Sequence, residues 1–116
     1  MTNKEKKFID TFNAVASSVS VISELKGWFI KNDPKEIAIK IALMHSELSE
    51  ALEALRNGNP PSDHIPEFNG MEEEFADTII RIMHLSDRLK LRTAEAIMAK
   101  LQYNITRPYK HGGKQF

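Results

Sequence analysis

The chain has no cysteine in its 116 residues, which excludes disulfides, thiolate metal sites and a cysteine nucleophile. It has no excess charge of either sign: 16 Lys and Arg stand against 16 Asp and Glu, so no bulk field draws it to nucleic acid or an anionic membrane. No apolar run approaches the length of a membrane span, and the opening MTNKEKKFID lacks the hydrophobic stretch of a signal peptide. A soluble, cytoplasmic protein is the expectation. A Gly-rich phosphate loop of the GxxxxGK[ST] type is also missing, so any nucleotide must be held through side chains and metal. What is present is 41% hydrophobic and 28% charged residues, the balance of a folded chain with material for one core.

Helical periods dominate. Phe8, Phe12, Val15, Val19 and Ile22 alternate gaps of four and three, the seam of a bundle helix. Only the Ser/Val run SSVSVIS offers a strand competing propensity. The period predicts a helix over about 3–26, ended by Gly27. Asp33-Pro34-Lys35-Glu36 opens a second, with Asp as N-cap and Pro at the first position, running to Arg56. Residues 57–68 form a Pro-rich connection, the expected mobile part. Asn69 with Glu72 caps a third helix reaching Leu89, and Thr93 is expected to cap a fourth ending near Asn104. These elements predict an all-α, four-helix bundle over residues 1–107, with 108–116 as a flexible basic tail.

The second helix places acids where packing residues are expected. At about 100° per residue, Ile37, Ile41, Leu48, Leu52 and Leu55 fall within a sector about 60° wide and read as the core stripe. Ile39, Leu43, Glu47, Glu50 and Ala54 share the opposite side, so the helix is expected to be covered twice, with both acids under the second cover. Carboxylates so placed are costly unless a cation or donors compensate them. In the third helix Phe75, Ile79, Ile82 and Met83 read as core, while Glu74, Asp77 and Arg81 lie together on the far side. Residues three apart are neighbours on a helix, so Glu47/Glu50 and Glu74/Asp77 are two carboxylate pairs. On adjacent helices they would supply four hard oxygen donors, suited to Mg²⁺ or Mn²⁺. The plain alternative is a solvated face with Lys40 and Arg81 as salt-bridge partners. A di-iron bundle would want Glu-x-x-His pairs, and neither acid pair is followed by a suitably placed histidine.

Lys100, Asn104 and Arg107 are spaced four and three apart and share a face if helicity persists, ahead of the basic Tyr109-Lys110-His111-Gly112-Gly113-Lys114. Carboxylate-held metal with Lys, Arg and an amide nearby is what a polyphosphate requires. Trp28, the only tryptophan, precedes the second helix, as a core plug or a base-stacking platform.

Glu47-x-x-Glu50 and, after 23 residues, Glu74-x-x-Asp77 resemble the signature of MazG-like all-α nucleoside triphosphate pyrophosphohydrolases. Lys100-x-x-x-Asn104-x-x-Arg107-Pro108-Tyr109 and His111-Gly112-Gly113-Lys114 resemble that family's C-terminal motif, and the similarity covers residues 27–114. The resemblance implies Mg²⁺-dependent hydrolysis of a nucleoside triphosphate, a deoxynucleotide above all, to monophosphate and pyrophosphate. It implies that Glu47, Glu50, Glu74 and Asp77 bind metal, that Lys100, Asn104 and Arg107 hold phosphate or sugar, and that Trp28 contacts the base. Glu50 is the candidate to orient or deprotonate the attacking water. A homodimer or homotetramer is implied, and neither nucleic acid nor membrane as a partner. Arg81 departs from the dCTP-specific branch, which carries an aromatic residue there, so the base is left open. The rival reading is a non-catalytic helical oligomer that binds a nucleotide or a partner helix.

Overall fold

The computed structural model describes all 116 residues, the side chain of His111 excepted. Four helices carry the chain: α1 (Asn3–Leu25), α2 (Pro34–Arg56), α3 (Gly70–Leu89) and α4 (Thr93–Ile105). A single helical turn, α5 (Lys110–Gly113), follows within the tail. The class is all-α as expected; among the described residues the only extended pairing is an isolated bridge between Pro61 and Asn69. No helix is long and apolar enough to cross a membrane.

The helix ends follow from local chemistry. Thr2 and Glu5 form a capping box at α1, and Asn69 and Glu72 form another at α3; Asp33 caps α2 ahead of Pro34. α1 ends with Gly27 at φ +91, which lets the Gly27 amide reach the Glu24 carbonyl and the Trp28 amide reach that of Ser23. That turn fixes where Trp28 leaves the helix. One expected cap is corrected. Thr93 is the first residue of α4, not its cap; Arg92 holds that position without a side-chain bond. The Thr93 hydroxyl instead meets that of buried Ser86, 2.7 Å away on α3.

The 57–68 connection, expected to be the loosest part, is tied at several points. Asn59 Oδ1 accepts the Met71 amide at 2.9 Å, and the Ser62 amide donates to the Phe68 carbonyl at 2.8 Å. Ser62 is buried; its hydroxyl donates to Glu73 at 2.6 Å and accepts the amides of His64 and Ile65. Polar groups that a loose loop would leave to water are satisfied internally here.

α3 is the central helix, with α2 and α1 packed against it and α4 leaning on α1. The residues at these seams are small. Ala16 and Ser20 of α1, Ala51 of α2, Thr78 and Ser86 of α3 and Ala94 of α4 are buried, joined by Ile9 and Leu85. The sequence-derived core stripes are therefore corrected. Ile41, Leu48, Leu52 and Leu55 are between 45% and 55% exposed, and Phe75 and Ile79 of α3 are exposed with them. The side of α2 that carries Leu43, Glu47, Ala51 and Ala54 is the one turned to α3. In α1 the Phe8, Val15 and Ile22 positions likewise face outward, one step round from buried Ile9 and Ala16. Close packing of backbones through alanine, serine and glycine won over burial of the larger side chains. The accessible surface is accordingly 8910 Å² for 13.2 kDa, against about 6,400 Å² for a compact monomer of that mass.

Candidate metal centre

α2 and α3 close most tightly where the connection joins them. A Cβ on Gly70 would stand 2.8 Å from that of Ala54, so glycine is what allows this approach. Both helices then run antiparallel away from that contact, and the next turns on each carry the acids. One ligand oxygen each from Glu47, Glu50 and Glu74 fall within 4.8 Å of one another, and so do those of Glu73, Glu74 and Asp77. Glu74 belongs to both groups. The two carboxylate pairs expected from their spacing thus stand side by side through Glu74, but as two groups: Asp77 joins Glu73 and Glu74 rather than Glu47 and Glu50.

Most of these acids are withdrawn from solvent, but Glu50, expected under the same cover, is exposed. Glu47 is 13% exposed at its side chain, and Glu74 and Asp77 are half-buried. Glu74 Oε2 is shut off from solvent and has no hydrogen-bond partner. Its neighbours are the carboxylates of Glu47 and Glu50, which cannot donate unless one is protonated. Burial, then proton sharing with Glu47 and Glu50, pushes the Glu74 carboxyl up to about 8. Asp77 is raised as well, by burial first and then by the charges of Glu47 and Glu73. Glu73 behaves oppositely. The Ser62 hydroxyl and the His64 ring at 2.8 Å hold its carboxyl below the usual range, so it is already satisfied.

One cation reaches the group. Arg81 of α3 places Nε and Nη2 at 3.1 and 3.0 Å from the same oxygen, Oε1 of Glu47. The carboxylates around that one guanidinium leave charge and donor demand unmet, and hard, anionic oxygens so grouped could hold a divalent metal ion. A di-iron arrangement finds no support among the described histidines: His64 pairs with Glu73, His84 with Glu24 at 3.3 Å, and His45 is exposed.

Beside the acids lies a cavity of about 420 Å³. Trp28, Ile30, Leu43 and Ile80 give it apolar walls, Lys40 and Arg81 bring positive charge, and Glu47 and Asp77 join it to the carboxylates. Trp28 is 65% exposed, so it is not a core plug, and Lys40 Nζ stands 5.8 Å from its ring. Lys40 therefore faces the indole rather than an acid, whereas Arg81 makes a salt bridge of the kind the plain alternative offered. His84 and Ser23 also line this space. The sequence reading passed over His84, although Asp77, Arg81 and His84 are spaced four and three along one face of α3.

Lys100, Asn104 and Arg107 do not line that cavity. Lys100 Nζ and the Arg107 guanidinium both lie over the Tyr103 ring, at 4.5 and 5.7 Å, on a helix that packs against α1. Within one chain the basic face and the acidic centre are separate features. The chain matches no family model, no curated protein and no solved structure.

Proposed function

We propose that this chain is a Mg²⁺-dependent nucleoside triphosphate pyrophosphohydrolase of the MazG-like all-α kind, with Mn²⁺ as a possible substitute. The observation that carries the reading is Glu74. A half-buried carboxylate oxygen without a donor, set among Glu47, Glu50 and Asp77, suits a divalent cation better than it suits a stabilising surface network. Bound there by Glu47, Glu50, Glu74 and Asp77, the cation supplies charge neutralisation for the triphosphate chain and for the pyrophosphate leaving group.

The chain's own side chains account for the remaining roles. Trp28 offers an open indole face for a base, and the cavity between it and the acids is large enough for a nucleoside. Lys40 and Arg81 bring positive charge to the phosphate side. Glu50 is the one exposed side chain of the four acids, and it is the one assigned to orient the attacking water and accept its proton. The products are a nucleoside monophosphate and pyrophosphate.

A homo-oligomer completes the reading. The accessible surface exceeds that of a compact monomer by about 2,500 Å², an amount that an obligate homodimer interface would cover. The bare stripe of Ile41, Leu48, Leu52, Phe75 and Ile79 is where that cover belongs. A second copy is also the route by which Lys100, Asn104 and Arg107 would meet the acidic centre of its partner.

The test is incubation with a panel of deoxynucleoside and ribonucleoside triphosphates and Mg²⁺, assayed for pyrophosphate. Pyrophosphate release that is lost in Glu50→Gln and Asp77→Asn, with helicity unchanged by circular dichroism, is the expected result. Orthophosphate release would mean another bond is cut. Nucleotide binding without turnover would favour the non-catalytic oligomer.

A further inference from the structure

Arg81 stands at a junction that neither acid pair explains. It is the single guanidinium among the described residues that touches the carboxylate group, and it does so through two nitrogens on one oxygen of Glu47. Glu47 is the least exposed partner of that pair, while the Arg81 side chain is 38% exposed and lines the cavity with Trp28 and Lys40. An arginine fork satisfied by a single carboxylate oxygen is under-used, because its geometry suits two acceptor oxygens. Its long stem also gives it another position within reach, toward the open cavity rather than the acids.

We propose that Arg81 is an exchangeable counter-ion: it holds Glu47 while no metal is bound, is displaced from that carboxylate by the divalent cation, and then turns its guanidinium into the cavity to grip a phosphate oxygen of the nucleotide. This rests on the metal-centre reading above and adds the order of events to it. In the metal-free chain Arg81 supplies the one positive charge that keeps Glu47 in place on α2. A cation coordinated through Oε1 of Glu47 displaces that guanidinium, so metal and arginine compete for that oxygen; a cation held through Oε2 alone would leave the salt bridge in place, and the titration below separates the two. Once free, Arg81 and Lys40 bring two positive charges to the cavity that Trp28 flanks. Metal loading thus prepares the nucleotide subsite, and binding becomes ordered with the cation first. No covalent step is involved.

The consequence is a reversal of sign on removing the charge. Arg81→Leu should bind Mn²⁺ alone about tenfold more tightly, the size of an ordinary coupling between linked binding events. The same variant, saturated with Mn²⁺, should bind α,β-imido deoxynucleoside triphosphates about tenfold more weakly. Arg81→Gln should move both affinities the same way, and Arg81→Lys should fall between, since it keeps the charge but not the fork. The measurements are a Mn²⁺ titration followed by electron paramagnetic resonance, then calorimetry with the four imido analogues. They use the full chain as it assembles in solution, with circular dichroism to show that each variant is folded. A salt bridge that merely orients Glu47 gives the opposite first result, with weaker Mn²⁺ binding in Arg81→Leu and Arg81→Gln, and overturns the exchange. Tighter Mn²⁺ with unchanged nucleotide affinity overturns the hand-over to phosphate. Failure of wild type and variants alike to bind Mn²⁺ identifies the metal centre itself as the error.

Discussion

Glu74→Gln isolates the group on which the proposed metal centre turns. Glutamine fills nearly the same volume, keeps an acceptor, adds a donor for Glu47 or Glu50, and cannot ionise. In the metal-free protein the Glu74 carboxyl is raised from 4.5 to about 8, so the folded state holds a proton that the unfolded chain releases. Its contribution to stability is therefore fully present below about pH 4.5, falls as the pH rises, and is gone above about pH 8. At about 1.4 kcal/mol for each pH unit, the ceiling is about 5 kcal/mol. Partial solvation of the site and sharing of the proton with Glu47 and Glu50 reduce this to about 1–3 kcal/mol. Urea unfolding in EDTA, run from pH 4.5 to 8.5, gives the comparison. The variant should gain on wild type steadily across that range and lead by about 1–3 kcal/mol at the upper end. Mg²⁺ added at pH 8 should restore the wild type and leave the variant unmoved. Parallel pH profiles for the two proteins would refute the argument that Glu74 sits among uncompensated carboxylates.

Other outcomes follow from single contacts. Leu52→Glu or Ile79→Glu, on the bare apolar stripe, should convert the proposed oligomer to monomer in analytical ultracentrifugation; an unchanged sedimentation coefficient would contradict an interface there. Ser62→Ala leaves the His64 and Ile65 amides without their acceptor and should cost about 1–3 kcal/mol in denaturant unfolding. Gly70→Ala drives a methyl group against Ala54 and should cost about 1–3 kcal/mol, more than the helix propensity of alanine returns. His64 should titrate above its usual value by NMR because Glu73 holds its protonated ring, and Glu73→Gln should bring it back.

The helices were legible in the chain because their signals are local. Asp33 and the Asn69–Glu72 pair set boundaries by accepting from amides three residues away, and Gly27 sets one by donating its own amide to the Glu24 carbonyl. Thr93 misled because its hydroxyl has a tertiary partner, Ser86, that no local pattern shows. The acidic group was legible from the three-residue spacing of Glu47/Glu50 and Glu74/Asp77, since that spacing survives whichever face turns inward. The orientation of the helices was not. A stripe of Ile and Leu looks the same whether its cover is the chain's own helix or something outside it, so Ile41, Leu48 and Leu52 read as core. Small seam residues such as Ala51, Ala54 and Gly70 carry little periodic signal, yet they decide which faces meet. The cavity drew on residues far apart in sequence, Trp28, Lys40 and His84 among them, which come together only through the turn at Gly27 and the packing of α1 and α2 on α3.

The most direct test of the account is anomalous diffraction from crystals soaked in Mn²⁺. It predicts a peak between α2 and α3, within about 2.0–2.3 Å of oxygens from Glu47, Glu50, Glu74 and Asp77, as hard divalent ions require. Density without such a peak, with the four carboxylates still crowded together and Arg81 still on Glu47, would contradict it.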